Sequence, residues 1–231
     1  MISISPLFNS PNADLVLRST PSLHSPQPVD FLVHRCALSV ASPFFDTMFS
    51  LPQAPNDAKD TRPVIDVSEA AETLEGLLRL IYPMTSPTIK SREQLVLLLD
   101  AASKYDVPVA LESLSRLLTE PQYMSDPVWV YATASRLDLE EAAKLASRHT
   151  LGIDICDCSS REDLAIYDYN RLHDLHQRRS QAALALLQIP DDIKCTLCNL
   201  GPITVFFWNR NGGGISSGGQ ERSYGCDQHQ T

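Results

Sequence analysis

Glycine is scarce wherever a fold has to be built: of nine glycines, seven lie after residue 200. Cations are also in short supply. Lys plus Arg number 19 against 28 Asp plus Glu, a net charge of -9 with a pI near 5.1, and that balance argues against a nucleic-acid or anionic-membrane surface. No apolar run approaches the roughly 20 residues of a membrane-spanning helix. Six cysteines in 231 residues are too sparse for a disulfide scaffold. Met1–Asn12 has no basic stretch followed by an apolar one, so neither a secretory nor a transit signal is expected, and the cytoplasm or nucleus is the expected location. What is present is ordinary globular material, 43% hydrophobic and 20% charged.

Periodicity divides the chain. Asp14 to Arg18, Val29 to Val33 and Pro63 to Val67 read as three strands, the first two joined by a loop holding Pro21, Pro26 and Pro28. Helices supply the rest of that region. Arg35 to Val40 is followed by Ser42-Pro43, a cap and first-turn pair opening Phe44 to Phe49, where Phe44, Phe45, Met48 and Phe49 are expected in the core. Leu74, Leu77, Leu78 and Ile81 predict a helix over Glu69 to Tyr82, and Leu95, Leu98, Leu99 and Ala102 another behind a capping box of Ser91 and Gln94. Leu111, Leu114 and Leu118 mark one more stripe. Beyond Pro121–Pro127 the pattern is purely helical. Asp126-Pro127 opens Val128 to Arg136, Asp138 and Glu141 open a helix to His149, and a last helix, or a pair of them, covers Arg161 to Leu187. Its apolar run Ala182 to Leu187 is expected to bury itself against the preceding helical pair. The expected organisation is a tail over 1–12, an α+β domain over 13–120, a helical extension over 126–189 and a cysteine-containing, partly flexible tail over 190–231.

Catalytic signatures are missing. There is no G-x-S-x-G elbow, no G-x-x-x-x-G-K-[ST] loop and no strand-to-helix G-x-G-x-x-G, so an enzyme is not expected. His173 and His176 share a helical face without a third ligand nearby and read as a solvated polar face. The soft ligands are at the end: Cys195 and Cys198 form CxxC, Cys226 and His229 form CxxH, the composition of a structural Cys3His zinc site. Four protein ligands leave no open position for water, so zinc there would be structural. The other reading is a tail whose thiols happen to sit two apart.

The order of elements and five sequence words resemble the BTB/POZ domain. The words are Ala13-Asp14-Leu-Val-Leu17, Val33-His34-Arg35 with Leu38, Ser42-Pro43-Phe44-Phe45 with Met48 and Phe49, Leu77 to Tyr82, and Ala101-Ala-Ser-Lys-Tyr-Asp-Val107. The stretch Val128 to Leu151 is similar to the helical extension of fungal BTB proteins. The resemblance implies a small three-stranded sheet flanked by helical hairpins, and a non-catalytic protein-interaction module, commonly homodimeric. It implies partner contacts at Asp14, His34, Arg35, Phe49 and Tyr105, with Asp14 and Arg35 either a fold-stabilising ion pair or a charged pocket. Two departures stand out. Only 13 residues, with Pro6 and Pro11, precede Asp14, which disfavours exchange of an N-terminal strand. Ser50-Leu-Pro-Gln-Ala-Pro55 stands where cullin ubiquitin-ligase adaptors carry a hydrophobic-x-Glu word. A cullin adaptor and a nucleic-acid-associated protein with a degenerate zinc module are the alternative readings.

Overall fold

A computed structural model describes residues 2–23, 25–51, 62–155 and 158–186. Three segments near the N-terminus build most of a sheet: β1 (Ser3–Asn9), β2 (Leu15–Thr20) and β3 (Val29–Val33). β4 (Val64–Ala70) completes it in the order β1-β3-β2-β4. β2 and β3 form the expected antiparallel hairpin, Leu15 opposite Val33 and Arg18 opposite Asp30, while β4 runs parallel to β2. Leu15, Leu17, Phe31 and Val33 point to the covered face and are almost fully buried, the period-two signature of a half-buried sheet. On the other face Arg18 grips Asp30 through Nε and Nη2 at 2.8 and 3.0 Å.

The sheet therefore has four strands rather than three. β1 lies inside the stretch read as a tail, and its pairing explains why. It runs parallel to β3 from Ser3 opposite Val29, then slips register between Ile4 and Asn9. Its buried positions, Ser5 and Phe8, are three apart, so no alternation marks the strand. Pro6 sits in it because an edge strand can leave one N–H position unpaired. Phe8 anchors the strand, its ring 5.9 Å from Phe31 and edge-on to Tyr82 at 5.5 Å.

Helices cover one face. α1 (Arg35–Ala41) and α2 (Pro43–Ser50) follow β3, and α3 (Ala71–Ile81) follows β4 directly. Glu69 and Ala70, expected to start that helix, end the strand instead. α4 (Arg92–Lys104) is capped by Ser91, whose Oγ accepts from Gln94 N–H, while Gln94 Oε1 accepts from the Lys90 amide. α3 and α4 meet at Gly76, where an added Cβ would stand 2.8 Å from Leu98 Cδ2. α5 (Pro108–Leu118) and the short α6 (Pro121–Met124) lead to α7 (Pro127–Arg136) and α8 (Glu140–His149). Asp106 and Asp138 make the tight turns before α5 and α8 at φ 46° and 55°, a left-handed region that Asp tolerates better than most residues.

α7 is the most enclosed helix: every residue from Pro127 to Ala134 is buried. Two single turns, Thr150–Gly152 and Ser159–Asp163, then lead to α9 (Ile166–Leu186). Leu172 of α9 reaches the core, yet Gln181 to Leu186 are exposed. The run Ala182 to Leu187, expected to bury itself against the preceding helices, falls in the second of two units, and Leu187 lies outside the described residues. The chain divides into two compact units, Met1–Ser180 and Gln181–Thr231. No described helix is long and apolar enough to cross a membrane.

Candidate interaction surface

α1 and α2 are set in place by polar contacts at each of their ends. Asp14, just before β2, accepts the Arg35 backbone N–H at 2.8 Å, so its carboxylate serves the first turn of α1. The expected Asp14–Arg35 ion pair is therefore a carboxylate-to-amide contact. The Arg35 guanidinium lies instead over the Phe49 ring, 4.6 Å from its centroid, and joins α1 to α2. His34 donates its backbone N–H to Tyr82 Oη at 2.8 Å, tying the start of α1 to the end of α3. Burial pushes the Tyr82 phenol up from its ordinary pKa, so it stays a neutral hydrogen-bonding group there.

Ser42 joins the two helices. Its backbone N–H closes α1 on the Leu38 carbonyl, its Oγ accepts from the Phe45 amide to cap α2, and its hydroxyl donates to the Tyr105 carbonyl at 2.5 Å. Tyr105 is buried. Its ring stacks on Phe45 with centroids 5.2 Å apart, and its phenol donates to Glu69. Burial, then the Glu69 contact, pushes this phenol far up. Burial alone would push Glu69 up as well, but hydrogen bonds from Lys104 and Tyr105 outweigh it and hold the carboxyl below its usual range. Lys104 Nζ stands 2.7 Å from Glu69 Oε1 and 2.6 Å from Ser68 Oγ. Tyr105 thus supports the surface from beneath instead of forming part of it.

On this frame α2 turns an apolar flank outward. Pro43, Phe44, Thr47, Met48 and Leu51, with Asp106 at the rim, line an open groove of about 490 Å³. Phe44 is 43% exposed while Phe45 is 3% exposed, because neighbours on a helix point about 100° apart and only one of them can face the core. The expectation of Phe44 in the core fails for that reason. Met48 and Phe49 are partly buried. Val40, at the end of α1, is 91% exposed. The sequence reading named Phe49 and Tyr105 but missed Phe44, Met48 and Leu51. The adjacent Phe44-Phe45 pair was the available signal.

The five residues expected at a partner surface therefore fall in two groups. Asp14, His34, Arg35 and Phe49 converge on the start of α1 and its contact with α2, and Tyr105 lies under α2. The set expected to hold zinc, Cys195, Cys198, Cys226 and His229, lies outside the described residues. Among the described residues no group of three or more His, Cys, Asp or Glu side chains could hold a metal ion. His173 stacks on Tyr169, and His176 Nε2 is 2.9 Å from Thr150 Oγ1.

The sheet, the two short helices behind it and the hairpin of α4 and α5 fit one known pattern, and the family model for the BTB/POZ domain matches residues 22–122. Residues 22–122 are a BTB/POZ domain. No curated protein matches the chain. The BTB/POZ domain is a protein-interaction module without catalytic chemistry. The match begins after β2, although β1 and β2 complete the sheet of the BTB/POZ domain here, and it ends inside α6, before the enclosed helix α7.

Proposed function

We propose that this protein is a self-associating adaptor whose BTB/POZ domain recruits a partner through the groove beside α2. The observation that carries the reading is Phe44, held outward by a capped and stacked helix at the mouth of an apolar groove. Asp106 stands exposed at its rim on a chain of net charge -9. The matching occupant is a partner segment with one or two large apolar side chains next to Lys or Arg. Panning a random peptide library on the immobilised full chain tests this. Enriched peptides should combine apolar and basic residues and lose binding to Phe44→Asp. Selected peptides that bind Phe44→Asp as well as the wild type would place the docking surface elsewhere.

A second reading, a cullin-ligase adaptor, is favoured by the helices α7 to α9 that continue past the domain. Ser50-Leu-Pro-Gln-Ala-Pro55 supplies no hydrophobic-x-Glu word in support. Binding of a cullin N-terminal domain to the same full chain, abolished by Phe44→Asp, is the outcome that would favour it.

A further inference from the structure

We propose that Ser86 is a modification site, phosphorylated by a proline-directed serine/threonine kinase, with Arg79 of α3 as the group that receives the phosphate. The site lies between α3 and α4 and does not depend on the groove beside α2.

A kinase of this class needs a hydroxyl residue directly before a proline, a hydroxyl that is free and exposed, and a backbone that can be taken up in extended form. Six Ser or Thr residues precede a proline, at positions 5, 10, 20, 25, 42 and 86. Ser5 and Ser42 are buried. Thr20 Oγ1 donates to the Val67 carbonyl at 2.7 Å, and Ser25 Oγ donates to the Gln27 carbonyl at 3.0 Å. Ser10 is half-buried, in a tight turn that the Ala13 N–H closes on its carbonyl at 3.2 Å. Ser86 differs from all five. It is exposed, its hydroxyl makes no hydrogen bond among the described residues, and residues 85–90 form neither helix, strand nor turn. Pro87 also holds Ser86 away from the helical region and toward extended backbone.

The second observation is a cation already aimed at this residue. Arg79 Nε donates to the Thr85 carbonyl at 2.9 Å, and Nη2 donates to the Ser86 carbonyl at 3.4 Å. A guanidinium has five N–H donors in a planar fork. Two are committed to these carbonyls, and Nη1 stands 3.9 Å from Glu75 Oε1, too far for a hydrogen bond. Donors are therefore left for phosphate oxygens. Glu75 opposes a phosphate there, while Lys90, exposed in the same stretch, favours it. In the transfer, the γ-phosphorus of ATP bonds to Ser86 Oγ as its bond to the β–γ bridging oxygen breaks, the hydroxyl proton passes to a base of the kinase, and ADP leaves. A phosphate beside an arginine gains charge-assisted hydrogen bonds and orders the loop that carries it. Here it pins residues 85–90 to the last turn of α3.

Treating the full chain with ATP and a mitogen-activated protein kinase, then mapping peptides by mass spectrometry and titrating by phosphorus NMR, tests both parts. The expected result is a phosphate on Ser86 that is lost in Pro87→Ala, with a resonance assigned by its absence in Ser86→Ala. Its second ionisation should fall below the ordinary value of about 6, return to it in Arg79→Gln, and stay partly lowered in Arg79→Lys, which keeps the charge without the fork. No phosphate on Ser86 of the folded chain, whether or not a free peptide of residues 83–90 accepts one, overturns the site. A phosphoserine that titrates identically in the wild type and in Arg79→Gln overturns the role of Arg79.

Discussion

Ser42 closes α1, caps α2 and bonds to the Tyr105 carbonyl at once. It is fully buried, and the Phe45 amide it caps is buried with it. Ser42→Ala leaves that amide without an acceptor and out of reach of water. The expected cost is about 1–3 kcal/mol, read as a lower urea midpoint at unchanged m-value. Ser91 caps α4 in the same way but near solvent, where water can replace the lost acceptor. Ser91→Ala should therefore cost less, about 0.5–1 kcal/mol. Equal losses would show that burial of the Ser42 cap adds nothing. Both caps were legible in the sequence, because a cap is a local pattern of a few residues. The contact of Asp14 with Arg35 was legible only as a neighbourhood. Opposite charges suggested an ion pair, while the geometry gave the carboxylate to a helix amide and the guanidinium to a ring.

At the level of elements, the readable ones were those whose burial is periodic. The stripes of α3 and α4 appear as expected, whereas β1, with a register slip and buried positions three apart, had no period to read. α9 is anchored by Leu172 in the core, with Tyr169 and Leu175 packed against it, and by polar contacts to the end of α8 and the turn after it. His176 Nε2 meets Thr150 Oγ1, and Arg179 Nη1 donates to the Ser147 carbonyl at 3.1 Å. Thr150 in turn donates its hydroxyl to the Ser147 carbonyl, so the neutral imidazole fits as the donor to Thr150. Burial, then the neighbouring Arg179 and His173, lower the pKa of His176 below 6.5. The folded state thus binds its proton less readily than the unfolded chain. The resulting stabilisation is complete above the unfolded value and is lost as pH falls through the lower folded one. Acidification from pH 7.5 to 5 should lower the protection factors of the α9 amides, the pH dependence of intrinsic exchange divided out, ahead of those of α3 and α4. In His176→Gln, which keeps a donor without titrating, this loss of protection should be much smaller. Unchanged pH dependence in that variant would assign the effect to another group.

For the whole first unit, the decisive feature is that the helical extension shares a core with the BTB/POZ domain. α7 is enclosed along Pro127 to Ala134, and ion pairs tie both of its ends to α4. Arg92 reaches Asp126 at 3.0 Å and Arg136 reaches Asp100 at 2.7 Å. Arg92 also lies 4.7 Å from the Trp129 ring centroid, and Asp126 accepts from Ser160 at 2.6 Å and from the Trp129 amide. Burial raises the Asp126 pKa, but these bonds outweigh it and leave the carboxyl below its usual range, hence ionised at neutral pH. A sequence divided at Pro121–Pro127 suggests two bodies, since the prolines there mark a change of pattern and carry no information about which faces meet. Met1–Ser180 nevertheless forms one compact unit. Its unfolding should accordingly be a single cooperative event. In a Trp208→Phe background, fluorescence from Trp129 reports on the extension while far-ultraviolet circular dichroism reports on all helices. The two urea curves should coincide, and Arg92→Ala should move both together to lower urea by about 1 kcal/mol, because the lost pair is half-exposed and stacked on one ring. Two separated curves, with only the fluorescence curve shifted by Arg92→Ala, would make the extension an independent body. Coincident curves mean that a partner docking on either part acts on the stability of both, because neither can open without breaking their shared core.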